Sequence, residues 1–136
     1  MRVAVGTDTA NAATDAIVDG LRAAGHEVID GGQGTPWPDV GRTVGELVSA
    51  GGADIGIVCC WTGTGVSIAA NKVPGVRAAL CTDAETARGA RAWNDANVLA
   101  LGLRLTTEAL AGEIVAAFLA GAPDGTEADN IAALPD

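Results

Sequence analysis

Short apolar runs alternate with stretches of helical spacing along the whole chain, and this alternation restricts the possible folds more than any other feature. Ala13, Ile17 and Leu21 fall on one helical face, and Thr82–Glu85 has the pattern of a helix capping box. We predict strands at Arg2–Gly6, Glu27–Asp30, Ile55–Cys60, Arg77–Cys81 and Asn97–Leu101. Five strand–helix units with continuously apolar strands predict a doubly wound α/β fold. This is a five-stranded parallel sheet with helices on both faces and ligands at the carboxyl ends of the strands.

Length and charge narrow the function classes. One domain over residues 1–136 is expected, with the glycine- and proline-rich segment Gly31–Asp39 as one long loop. The formal charge of −9, from 17 acidic and 8 basic residues, argues against a nucleic acid or an anionic membrane as partner. No apolar run approaches the roughly 18 residues of a membrane span. The N-terminus turns polar too early for a signal peptide.

The cysteines and the single histidine limit the chemistry. Three cysteines without a CxxC spacing suit neither a disulfide framework nor a zinc site, so we expect a cytoplasmic protein. His26 lies in a predicted helix-to-strand connection and is expected on the surface. The usual general base and metal ligand is therefore nearly absent from this chain.

The third predicted strand ends in a glycine turn that favours an anion site. Gly63 and Gly65 stand between this strand and the next helix, where backbone N–H groups and the helix dipole converge on negative charge. A dinucleotide site is disfavoured because the third glycine of that motif is missing. Cys60, directly before the turn, is suited to act as a thiolate base or nucleophile. The alternative is that Cys60 only fills space at the strand end.

Other candidates are the residues at the remaining strand ends. Asp8 follows the first strand, where it can serve a site or act as a helix N-cap or turn residue. Cys81 has apolar neighbours that favour core packing. Trp37 is predicted on the loop as a ligand or interface contact, and Trp93 closes the fourth helix with either a core or a site role.

Three segments, Cys60–Lys72, Val73–Cys81 and Asn94–Gly102, closely resemble the family of ribose-5-phosphate isomerase B and galactose-6-phosphate isomerase. The resemblance implies a Rossmann-like three-layer α/β/α sandwich that forms a dimer with its sites between subunits. It further implies aldose–ketose isomerisation through an enediolate, without metal or cofactor, with Cys60 as the base. Thr62 and Asp8 are implied as further catalytic residues. Some relatives use a Glu after the glycine turn as base, but that position is Val66 here.

The chain departs from the family pattern at several positions. The opening Asp-His pair is Asp8-Thr9, the His-Asn pair is Trp93-Asn94, and a Gly after the catalytic Cys is Trp61. The C-terminal phosphate-binding arginines are missing, and Arg104 is the phosphate-side Arg that survives. The resemblance implies these substrate-binding residues: Thr9, Trp37, Asp39, Trp61, Gly63, Thr64, Gly65, Trp93, Asn94 and Arg104. From the departures we expect an unphosphorylated hydroxycarbonyl substrate, either a sugar packed on Trp faces or a more apolar compound.

Two other functions stay open at this point. The galactose-6-phosphate isomerase branch pairs two unlike homologous chains, so this chain is alternatively a non-catalytic partner subunit. The third hypothesis is a small-molecule binding protein with a Trp-lined cleft. For assembly we expect a homodimer or a dimer of dimers, or pairing with a homologous chain. The tail 122–136 is expected to pack on a neighbouring subunit or to be partly flexible.

Overall fold

The computed structural model describes residues 1–136 and has five strands and six helices. The strands are β1 (Arg2–Thr7), β2 (Glu27–Gln33), β3 (Ile55–Cys60), β4 (Ala78–Leu80) and β5 (Val98–Gly102). The helices are α1 (Ala12–Ala23), α2 (Trp37–Ser49), α3 (Thr64–Asn71), α4 (Ala84–Asn94), α5 (Glu108–Ala120) and α6 (Ala128–Ala132). All strand pairs are parallel, in the order β2-β1-β3-β5-β4. The predicted five-stranded parallel sandwich is confirmed.

Two apolar layers sandwich the sheet. α1, α4 and α5 cover one face, where Phe118 and Ile114 are fully buried, and α2 and α3 cover the other, where Val40 and Val44 are fully buried. Successive strand residues alternate between the two layers, as the pleat of a strand requires. None of the six helices combines the length and the apolar composition of a membrane span.

The connections around β3 create crevices on both of its sides. The helices that follow β1 and β5, the two neighbours of β3, pack on one face of the sheet, whereas α3 packs on the other. Chains that leave adjacent strands in opposite directions open a crevice at the carboxyl ends, which is where ligands bind in doubly wound sheets. We call this side of the sheet the carboxyl edge and the opposite side the amino edge.

The prediction of one long loop over Gly31–Asp39 is wrong. β2 continues to Gln33 because Gly31 leaves room for Val44, whose Cγ2 would lie 2.3 Å from a Cβ at that position. α2 then begins at Trp37, with Pro38 in its first turn, where the missing N–H of proline costs nothing. Trp37 is therefore a helix residue and not a loop residue.

The tail 122–136 packs on its own chain. The Asp124 amide donates to the Ala92 carbonyl at 3.0 Å, and α6 contacts α4. Leu134 and Pro135 line a cavity together with Asn94. Contact between this tail and a neighbouring subunit stays a prediction.

Candidate functional site

The turn between β3 and α3 presents a row of free backbone donors. α3 has Gly63 as its N-cap and no side-chain cap, and the first amide to find an acceptor is that of Ser67, which donates to the Gly63 carbonyl. The amides from Gly63 to Val66 donate to no acceptor within the chain. Free N–H groups at the positive end of a helix dipole can hold a negatively charged oxygen.

Glycine is required in this turn for conformational and steric reasons. Gly63 has φ +76°, and a Cβ there would lie 2.5 Å from Leu80 Cδ1 and 2.8 Å from the Gly102 nitrogen. The turn is also tied to the segment after β5, since the Leu103 amide donates to the Cys60 carbonyl at 2.9 Å. The donors of the turn are therefore held against the end of β5.

Two threonine hydroxyls accompany these donors. The Oγ1 atoms of Thr62 and Thr64 are 2.8 Å apart and share a hydrogen bond, and both residues are exposed. A hydroxyl pair can relay a proton or contact a substrate oxygen, because each hydroxyl donates one hydrogen bond and accepts others. The structure thus brings the predicted residues Thr62, Gly63, Thr64 and Gly65 together with Cys60 at one end of β3.

Cys60 is set apart from the other two cysteines by its position. It is the last residue of β3 and belongs to the α2/α3 layer, whereas Cys59 belongs to the opposite layer. Burial, aided by the charges of Cys60 and Asp8, raises the pKa of Cys59 to about 12. Burial also raises the pKa of Cys81 to about 11, and this residue packs in the core as predicted. Cys59 and Cys81 are therefore held as neutral thiols.

Asp8 lies at the end of the adjacent strand with a free carboxylate oxygen. Its amide donates to the Cys59 carbonyl at 3.3 Å, and its Oδ1 is buried without a hydrogen-bond partner. The N-cap of α1 is Asn11, so the N-cap alternative for Asp8 is wrong. Thr9 follows as an exposed residue whose amide donates to Thr7 Oγ1 at 3.2 Å.

Trp37 packs against the glycine turn, whereas Asp39 pairs with a residue of its own helix. A Cβ on Gly65 would lie 2.9 Å from Trp37 Cδ2, so the indole sits directly against the Gly65 backbone. Trp37 is still 43% exposed, which leaves indole surface free for a ligand. Asp39 Oδ1 accepts from Arg42 at 2.9 Å, an exposed pair within α2.

Trp61 and Arg104 line a cavity in the crevice between β3 and β5. The cavity is about 200 Å³ and is lined by Trp61, Thr62, Leu80, Cys81, Thr82, Gly102, Arg104, Leu105 and Thr106. Arg104 has no carboxylate partner. Sequence reasoning missed Thr82, Leu105 and Thr106, although their positions just after strands β4 and β5 were the available signal.

Trp93 and Asn94 lie at the amino edge, away from the other predicted site residues. They end α4 just before β5 begins at Val98, whereas Cys60 pairs with Gly102 at the other end of β5. Four residues of strand separate the two ends by about 13 Å. One chain therefore does not bring Asn94 to Cys60.

Trp93 is an exposed residue and not a core residue. Its ring lies over Gly89, where a Cβ would be 2.8 Å from Cζ3, and 55% of the residue is exposed. Hydrogen bonds from Thr126 lower the pKa of Asp124, and Trp93 makes a smaller contribution. Trp93 therefore stands beside the tail of its own chain.

Comparison with known proteins agrees with this arrangement. A model of the Ribose/Galactose Isomerase family matches residues 3–133. The galactose-6-phosphate isomerase subunit LacB of Clostridium acetobutylicum is 45% identical over 103 residues, which is 73% of this chain and 60% of that subunit. Ribose-5-phosphate isomerase B of Escherichia coli is 42% identical over 113 residues, 80% of this chain and 76% of that protein.

The solved structure of ribose-5-phosphate isomerase B from Clostridium thermocellum superposes with a TM-score of 0.92 and 43% identity. The superposition covers 97% of this chain and 93% of that one. With a family match over almost the whole length and a shared three-dimensional structure, this chain belongs to the ribose/galactose isomerase family.

Proposed function

We propose that this protein is an aldose–ketose-type isomerase in which Cys60 moves a proton between adjacent carbons of a hydroxycarbonyl compound. The observation that carries the proposal is the row of free amides from Gly63 to Val66 directly beside Cys60. Charge develops on the substrate oxygen when the proton leaves carbon, and donors fixed in advance stabilise that charge without reorganising. Removing one such donor typically costs about 10²–10³ in rate.

The chemical step balances with the residues at the carboxyl edge. The Cys60 thiolate removes the proton on the carbon next to the carbonyl, and the electron pair moves to the carbonyl oxygen to form an enediolate. The Cys60 thiol then returns the proton to the neighbouring carbon, and the second oxygen becomes the new carbonyl. Proton transfer between the two oxygens falls to Thr62, whose hydroxyl is paired with Thr64, or to the free oxygen of Asp8. This thiol chemistry needs a reduced Cys60, which agrees with the expected cytoplasmic location.

A second copy of the chain completes the proposed site. Asn94 and Trp93 are expected at the substrate, but they lie at the amino edge of their own sheet. A homodimer, or a dimer of dimers, joins the amino edge of one copy to the carboxyl edge of the other. It also covers the exposed indoles of Trp37 and Trp93, which would otherwise add apolar surface.

The proposed substrate carries no phosphate, in contrast to those named for the relatives. Arg104 stands alone as the unpaired cation beside the turn, and residues 122–136 contain no Lys or Arg. A dianion would face a chain of net charge −9 with one guanidinium to hold it. The indoles of Trp37 and Trp61 instead offer apolar faces on which a sugar ring or a more apolar compound packs.

Proton exchange with solvent tests this proposal and requires no assay for a particular product. The protein is incubated in deuterium oxide with a panel of unphosphorylated hydroxycarbonyl compounds, and mass spectrometry detects deuterium on carbon. We expect exchange with at least one compound, lost in Cys60→Ser and kept in the matched control Cys59→Ser. Exchange that persists in Cys60→Ser would contradict the assigned base.

A second candidate function is that of a subunit in a heteromeric isomerase. It is favoured by the 45% identity to LacB, which is itself named as a subunit. In that case the lone chain is inactive, and a homologous chain copurifies with it from its native cells. Activity of the purified lone chain excludes this candidate.

A further inference from the structure

The connection between α4 and β5 contains the one non-glycine residue of the chain with a left-handed backbone. Asp95 has φ +47° and ψ +44° at the C-terminus of α4. Glycine is the usual residue at such a helix end because it has no Cβ to strain. The presence of Asp at a position that suits Gly therefore needs an explanation in what its side chain does.

A network of hydrogen bonds holds the residues after Asn94. Arg77 Nε donates to the Asp95 carbonyl at 2.7 Å, and Arg77 Nη2 pairs with Asp95 Oδ2 at 3.1 Å. Arg91 Nη1 donates to the Ala96 carbonyl at 2.5 Å. Asn97 Oδ1 accepts from the Arg77 amide at 2.8 Å. Each residue from 95 to 97 is therefore tied to one of two partly buried arginines.

Asn94 differs from the residues that follow it. Its side chain is exposed and makes no hydrogen bond within the chain, and it borders a cavity of about 370 Å³ shared with Arg77. If the connection served only to join α4 to β5, its backbone would not need to be fixed so firmly beside the unbonded carboxamide of Asn94. The Asn94 carboxamide is therefore free to contact a group outside its own chain.

We propose that Arg77 and Asp95 are positioning residues that hold Asn94 in place for the site of a second copy. The inference rests on the proposed function, in which Asn94 completes the site at the carboxyl edge of the other chain. Asp95 and Arg77 touch no substrate themselves. They act by setting the direction in which the Asn94 carboxamide leaves α4.

Cross-linking tests the placement without an activity assay. In Asn94→Cys, a short bismaleimide should link the new thiol to Cys60 of a second copy, and the link should be absent in Asn94→Cys combined with Cys60→Ser. Adding Asp95→Gly should slow cross-linking by about tenfold or more, since a misplacement of 1 Å can cost up to about a hundredfold. The same variant should change the melting temperature little, because the backbone strain relieved at φ +47° offsets the loss of the partly exposed ion pair with Arg77.

A matched control separates positioning from general surface effects. Asp54 pairs with Arg2 at 2.9 Å, also at the amino edge, so Asp54→Asn should leave the cross-linking rate unchanged while Asp95→Asn slows it. Equal rates with and without Asp95→Gly would overturn the positioning role while leaving the shared site intact. No link in Asn94→Cys with Asp95 intact would overturn the shared site and the positioning role together.

Discussion

The two edges of the sheet differ in whether their polar groups have partners within the chain. At the amino edge, arginines meet carboxylates and carbonyls, as in the pairs of Arg2 with Asp54 and of Arg77 with Asp95. At the carboxyl edge, the amides of Gly63–Val66, the Asp8 Oδ1 atom and the Arg104 guanidinium have no such partner. Satisfied groups support the fold, whereas free ones are available to a ligand. Asn94 also lies at the amino edge, but its exposed side chain makes no hydrogen bond within the chain.

The first prediction concerns the substrate specificity of the proposed site between the carboxyl edge of one copy and the amino edge of another. Ribose 5-phosphate should be turned over at least about 10²-fold more slowly than by the Escherichia coli relative, because Trp93 and Thr9 supply no general acid–base help. Trp93→His with Thr9→His should raise the residual rate. Coupled assay of ribulose 5-phosphate measures both. Turnover near an ordinary enzyme rate, about 10 per second, would show that the altered substrate is a mistaken proposal.

The second prediction uses thiol reactivity to compare Cys60, the last residue of β3, with the other two cysteines. A pKa raised from 9.0 to about 12 lowers the thiolate population of Cys59 near neutral pH by about a thousandfold, and Cys81, at about 11, loses about a hundredfold. With limiting iodoacetamide at pH 8, peptide mapping should find label first on Cys60, next on Cys81 and last on Cys59. Label on Cys81 before Cys60 would reverse the assignment of the reactive thiol.

The third prediction compares one glycine from each edge. Gly63 and Gly25 both have positive φ, but only Gly63 is crowded, by Leu80 and Gly102, while a Cβ on Gly25 meets nothing within 4 Å. Gly63→Ala should cost about 2–4 kcal/mol of unfolding free energy from strain and overpacking, and Gly25→Ala about 1 kcal/mol. Urea denaturation measures both. Equal losses would mean that the turn after β3 is not held against β5.

The fourth prediction is a stability change at alkaline pH. Since the folded pKa of Cys59 and Cys81 lies above the ordinary 9.0, the folded protein keeps protons that the unfolded chain loses above pH 9. The stability that these two thiols contribute is fully present below pH 9. It is lost as the pH rises toward 11 for Cys81 and toward 12 for Cys59. The loss is on the order of 1 kcal/mol per pH unit for each thiol. Cys59→Ala should flatten this decline between pH 9 and 11. An unchanged slope would argue against a buried neutral thiol at that position.

Much of the fold was predictable because the strands are buried on both faces and read as continuous apolar runs. The β2–α2 region was not predictable, because Gly31 and Pro38 suggest a loop by composition. In the structure, Gly31 is a strand residue packed against Val44, and Pro38 lies in the first turn of α2. Local propensity cannot report such contacts.

The candidate site was predictable in part. The Cys60 turn was predictable because glycines between a strand and a helix are typical of an anion-binding turn. The cavity beside Arg104 was not, since Thr82 and Thr106 come from separate loops that only the order of β5 and β4 brings together. The separation of Asn94 from Cys60 follows from chain direction, because a helix that returns to the next parallel strand ends at the amino edge.

Mixing two defective variants tests the central claim most directly. Cys60→Ser removes the proposed base at the carboxyl edge, and Asn94→Ala removes the carboxamide at the amino edge. Each homodimer should therefore be inactive in the deuterium exchange assay. Dimers reassembled from equal amounts of the two chains should regain about a quarter of wild-type activity, because half of them pair one intact site with one doubly defective site. Activity that stays at the level of the separate variants would contradict a site shared between the two edges.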